Sequence, residues 1–179
     1  KIEKVDYFVG VFVSTILKSA KGVPALFDET DNSKRIQFST DLGDFNVYIK
    51  YSMSLVNKDK RINSEVKNKM SCNVSFTDND FNILNSNFKK DKYKNYVVLV
   101  CTNDKLTETK IAVLPYDDAM KCLQYKVKSG GRRITITRTG GEYSYKCYGV
   151  NGPDFPKGHY ITSYVNHMKY FDKTAENEE

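Results

Sequence analysis

Between Phe45 and Ser52 the chain alternates: Phe45, Val47, Ile49 and Tyr51 are apolar, and Asn46, Tyr48, Lys50 and Ser52 fall between them. A period of two belongs to a strand with one buried face, so Tyr48 and Lys50 are expected to share its outer face. Upstream the period changes. Val5, Phe8, Val9, Phe12, Val13, Ile16 and Leu17 recur at helical spacing until Gly22 and Pro24, which predicts an apolar helix over Val5–Ser19. Its β-branched residues weaken its own propensity, so it is expected to be held by packing against a sheet.

Further strands are predicted at Lys34–Thr40, joined to the first by the tight-turn sequence DLGD, and at Glu65–Phe76. In the latter, Val66, Met70, Cys72, Val74 and Phe76 share one face, while Glu65, Lys67, Lys69, Ser71, Asn73 and Ser75 share the other. The intervening segment, SLVNKDKRINSEVKNK, reads as a polar, net positive insertion, mobile at its start. Thr77 is an N-cap for a helix reaching about Phe88, with Asp78 and Asp80 in the first turn, where negative charge is favoured.

The continuous run YVVLVC, Tyr96–Cys101, predicts a strand buried on both faces. Lys110–Leu114 gives another strand, and Pro115 leads into a short helix, Asp117–Gln124. A hairpin follows over Arg132–Gly149, turned at Gly140-Gly141. Tyr160–Phe171 is compatible with a short helix, and the acidic tail 172–179 is expected to be disordered.

These elements make an α+β fold: one domain over 1–171 with a central mixed sheet, an N-terminal helix, shorter helices and a C-terminal basic hairpin at 125–150. The longest apolar run, Tyr7–Leu17, is too short for a membrane span and lacks a cleavage pattern, so the expectation is a soluble, cytoplasmic protein without a membrane partner. Cys72, Cys101, Cys122 and Cys147 are scattered without a CxxC pair, which favours buried structural thiols over zinc or a disulfide framework. His159 and His167 have no neighbouring ligands to complete a metal site.

Charge narrows the function. The formal charge is +6, yet residues 172–179 carry four acids against one lysine, so the remainder is more basic still. A basic body points to nucleic acid or another polyanion, although a Lys/Asn/Tyr-rich composition also arises from AT-rich coding. The positive charge peaks in the hairpin: Lys126, Lys128, Arg132, Arg133, Arg138 and Lys146 stand against Glu142, interleaved with Tyr143, Tyr145 and Tyr148. A ribbon of this kind is a candidate nucleic-acid-binding element, with arginines on phosphate and Tyr143 and Tyr145 stacking on bases. The other reading of the ribbon is an outer sheet face with its tyrosines packed inward.

The order helix, strand, strand, strand, helix, strand over about residues 3–124 resembles the core of the PD-(D/E)xK, or restriction-endonuclease-like, superfamily. That resemblance implies an acid near the second strand and an E-x-K or D-x-K on a later strand, which together bind Mg²⁺ and activate water. Lys50 has Tyr48 where the acid would stand, so its strand reads as a surface strand or a degenerate site. Glu65-Val66-Lys67 with Asp44 upstream is the second candidate triplet. Mg²⁺ is implied only if the chain is such a nuclease.

No Gly-rich phosphate loop and no GxSxG elbow is present. The sequence therefore leaves two functions open: a DNA- or RNA-binding protein, as a degenerate or divergent Mg-dependent nuclease-like module, or a non-enzymatic accessory or inhibitory subunit with an acidic protein partner.

Overall fold

A computed structural model describes residues 2–19, 28–29, 35–40, 42–62, 65–142, 145–150, 159–161 and 171. Its first element is helix α1 (Lys4–Ser19). The strands β1 (Asp28–Glu29), β2 (Arg35–Thr40) and β3 (Gly43–Ser52) follow, and then β4 (Val56–Ile62) and β5 (Glu65–Phe76). Helix α2 (Asp78–Ile83) continues into a π-helical turn, Leu84–Phe88. After it come β6 (Lys94–Thr102), β7 (Thr109–Pro115), helix α3 (Tyr116–Cys122), β8 (Arg132–Thr139), β9 (Lys146–Tyr148) and β10 (His159–Ile161).

The architecture is α+β. Among the described residues the strands form two five-stranded sheets, ordered β1-β2-β3-β6-β7 and β10-β9-β8-β5-β4. The first is mixed: β3 and β6 run parallel at its centre, and its other pairs are antiparallel. The second is antiparallel throughout.

Three layers result. The stripe Phe8, Phe12 and Ile16 lays α1 on one face of the first sheet, against Phe38, Phe45, Val47, Ile49, Val98 and Val100. Each of these three helix side chains is essentially fully buried, worth about 1.5–3 kcal/mol apiece. The other face of the first sheet meets the second sheet, where Tyr48, Val97, Leu99 and Cys101 pack with Met70, Cys72, Val74, Phe76, Ile134 and Ile136. Strand β6 thus has apolar neighbours on both sides, which is why its sequence is an unbroken apolar run. All four cysteines are buried in this inter-sheet core as free thiols.

Three expectations change. The segment predicted to be a polar insertion contains β4, an edge strand paired along its length with β5 from Val56↔Ser71 to Ile62↔Glu65. An edge strand exposed on both sides needs no apolar alternation, so its period was hidden. Residues 160 and 161 belong to β10, pairing with Cys147 and Lys146, rather than to a helix, and the rest of the 160–170 segment and the 172–179 tail lie outside the described residues. The third change is the face of β3 bearing Tyr48 and Lys50: it is sealed beneath the second sheet, with Lys50 only 8% exposed.

Candidate nucleic-acid interface

The buried Lys50 is matched by Asp80. Thr77 caps α2, with its Oγ1 accepting from Asp80 N at 3.1 Å while the Asp80 carboxylate accepts from Thr77 N at 2.8 Å. That box turns Asp80 inward from the helix start, toward β3. Lys50 Nζ donates to Oδ2 in a short ion pair, and Tyr48 OH donates to Oδ1 at 2.6 Å.

Burial pushes the Asp80 carboxyl up, but the donors Lys50, Tyr48 and Thr77 N together with the Lys50 charge outweigh it and hold the group well below the usual carboxylate range. Burial, with Asp80 alongside, raises Tyr48 far above an ordinary phenol. The lysine expected on a surface is therefore an internal cation whose charge is used to join β3 to α2. The partner acid, absent from its own strand, comes from a helix 30 residues later.

The other candidate triplet is spread over two sheets. Asp44 is exposed at the start of β3 in the first sheet, accepting from Ser39 Oγ at 2.5 Å. Glu65 and Lys67 do share a face, as an exposed pair 3.3 Å apart, but on the side of the second sheet turned away from the first. These residues do not assemble a Mg²⁺ site, and among the described residues no group of three or more His, Cys, Asp or Glu is placed to hold a metal ion.

The basic hairpin is divided by the pleat. The register Phe76↔Arg132, Val74↔Ile134, Cys72↔Ile136 and Met70↔Arg138 points one set of β8 side chains inward. Arg132 lies 3.5 Å from the centre of the Phe81 ring and bonds Asp78 at 3.0 Å. Lys126 bonds the same carboxylate at 2.9 Å, and its hydrogen bond is the largest cause holding Asp78 below its ordinary value. Arg138 lies over the Tyr145 ring at 5.6 Å.

Tyr145 is 5% exposed, packed in the inter-sheet core. It is not available for base stacking, which corrects that expectation. Tyr143 lies outside the described residues, and Lys128 is exposed in the loop before β8.

The opposite set faces outward. Pairings Lys69↔Thr139, Ser71↔Thr137, Asn73↔Thr135 and Ser75↔Arg133 place these side chains on the face of the second sheet turned away from the first, a face left free by the described elements. Lys146 and Tyr148 join them from β9, opposite Thr137 and Thr135, and Val56 and Lys58 from β4, opposite Ser71 and Lys69. The face is therefore a polar floor of hydroxyls and amides studded with Lys58, Lys67, Lys69, Arg133 and Lys146.

Only part of that charge is neutralised. Lys67 pairs with Glu65, and Lys146 with Glu142, whose hydrogen bond from Lys146 holds its carboxyl below the ordinary value. Lys58, Lys69 and Arg133 have no carboxylate partner among the described residues. Lys58 and Lys69 stand directly opposite each other across β4 and β5, a like-charge cross-strand pair that costs stability.

Sequence reasoning located the charge in the hairpin and in the net positive segment SLVNKDKRINSEVKNK, and did not show that Lys58, Lys69 and Arg133 share one face. The signal was present in the outward set Lys67, Lys69, Ser71, Asn73 and Ser75. No family model, no curated protein and no solved structure matches this chain.

Proposed function

We propose that this protein binds nucleic acid, chiefly through its phosphate backbone, on the free face of the second sheet. The observation that carries the reading is the unneutralised pair Lys58 and Lys69, opposed across two strands. An edge strand gains from lysine because it blocks edge-to-edge association, which accounts for Lys58 on β4. Lys69 is on β5, an interior strand of the sheet, where that explanation does not apply. A bound polyanion offsets the repulsion that the fold leaves in place.

The spacing fits an extended strand. From β4 to β9 the face spans three strand intervals, about 14 Å at ~4.8 Å each, with cations near both margins. The floor between them carries Ser71, Asn73, Thr135 and Thr137, which can donate to phosphate or sugar oxygens. A sheet face without a protruding helix does not enter a duplex groove, so a single strand laid across the sheet is the preferred ligand. Among the described side chains Tyr148 is the one outward aromatic ring on this face, so affinity rests on charge and sequence preference is weak.

Fluorescence anisotropy of labelled single strands across a salt series tests this. About three to five phosphate contacts on a single strand give a log–log slope of about −2 to −3.5, and Lys58→Ala with Lys69→Ala makes it shallower by about 1.4. An apolar-centred interface with an acidic protein would depend on salt far less. No binding at low salt contradicts the proposal.

A further inference from the structure

At one end of the same face, beneath the Gly140-Gly141 turn, is a basin of about 420 Å³. Three lysines border it, Lys67 and Lys69 from β5 and Lys146 from β9, and Thr137 forms part of its lining. Thr137 is only 6% exposed, yet its hydroxyl has no hydrogen-bond partner among the described residues. The residue is mostly covered but its unused hydroxyl is not sealed from solvent, so on the wall of an open basin it is available to an occupant of that space.

The charge of the basin selects among anions. Against the three ammonium groups stands one lining carboxylate, Glu142, which is committed to Lys146 and to the Thr139 N–H at 2.8 Å. With Glu65 paired to Lys67, Lys69 is the one lysine of the three without a carboxylate among the described residues. Because exposed ion pairs are weak, a phosphomonoester of about −1.5 to −2 at neutral pH draws Lys67 and Lys146 from their partners more strongly than the single charge of a phosphodiester does. The volume falls within the range of about 300–1,000 Å³ typical of ligand pockets, so a phosphate and its attached sugar fit beside Tyr148.

We infer that the basin receives the terminal phosphomonoester of a nucleic-acid strand lying on the sheet. The inference rests on the reading of that face as a nucleic-acid surface. Mid-strand phosphates meet the scattered cations Lys58, Lys69 and Arg133. A chain end is drawn to the place where three lysines and a free hydroxyl converge.

The test is the affinity of one single-stranded oligonucleotide prepared with a 5′-phosphate, a 3′-phosphate or neither, measured for the unaltered chain, Thr137→Val and Lys146→Gln. Excess inorganic phosphate and a free nucleoside monophosphate serve as competitors. One phosphorylated form is expected to bind about tenfold or more tightly than the unphosphorylated strand, as charge-assisted hydrogen bonds to one group imply. That ratio falls toward one in both variants, and Lys146→Gln, at a half-exposed position, guards against a folding defect in Thr137→Val.

Free monophosphate should abolish the ratio, which identifies the phosphomonoester itself as the recognised group. Equal, salt-sensitive binding of all three oligonucleotides overturns the basin and leaves the sheet face standing. Absence of binding by every oligonucleotide at low salt overturns both.

Discussion

Arg132 and Arg133 are adjacent in the chain and point to opposite sides of the second sheet. Arg132 is clamped between the Phe81 ring and Asp78, with its side chain 12% exposed, whereas Arg133 is exposed on the free face. One arginine holds the fold, and the other is the one the proposed nucleic-acid reading uses. Arg132→Ala is therefore expected to lower stability by about 1–2 kcal/mol, through the lost cation–π contact and ion pair, measured as a shift in the urea midpoint. Arg133→Ala should leave that midpoint within about 0.5 kcal/mol and weaken oligonucleotide binding instead. A stability loss at Arg133 equal to that at Arg132 would contradict the division.

The Lys50–Asp80 pair makes a second prediction. Removing either partner leaves a charge buried between the sheets, so Lys50→Met or Asp80→Asn alone should cost about 3–5 kcal/mol. The double variant buries no unpaired charge and should cost clearly less than the sum of the two. A double-mutant cycle in urea measures the difference. Additive losses would show that the two side chains act independently.

Acid sensitivity follows from Asp80. Its folded carboxyl is held below the usual range, so as pH falls the unfolded chain takes the proton first. The stability it contributes is fully present above about pH 4, the ordinary aspartate value, and is lost as pH drops through the lower folded value. A stability–pH profile should fall steeply below about pH 4, and Asp80→Asn should flatten that limb. An unchanged acid limb in the variant would assign acid unfolding to other carboxylates.

Gly149 follows β9 where the chain presses on the end of α3. A Cβ placed there would lie 2.0 Å from the Cys122 carbonyl oxygen, a backbone atom that cannot swing away. Gly149→Ala is expected to cost about 1–3 kcal/mol or more by forcing α3 and β9 apart, read as a lowered thermal midpoint. A neutral result would mean that α3 shifts freely against the sheet.

Much of the fold was legible because its signals are local. The stripe of α1, the double-sided apolar run of β6 and the cap at Thr77 each show in a few consecutive residues. What escaped depends on distance. Alternation places Tyr48 and Lys50 on a common face but cannot say whether water or a second sheet covers it, and Asp80 lies beyond two intervening strands. Strand β4 escaped because an edge strand with polar residues on both sides looks like a loop.

The division of the hairpin was available from its period of two: Arg132, Ile134, Ile136 and Arg138 alternate with Arg133, Thr135, Thr137 and Thr139. Net charge over the whole ribbon concealed it. The burial of Tyr145 follows from the same alternation, since it shares its side of the strand with Cys147.

Lysine acetylation footprinting with and without a single-stranded oligonucleotide reads out which face of the protein nucleic acid covers. On the proposed face, bound strand is expected to protect Lys58, Lys69 and Lys146 while Lys121 and Lys126, near α3 and Asp78, remain as reactive as in the free protein. Protection of Lys121 and Lys126 with Lys58 and Lys69 unchanged would contradict it.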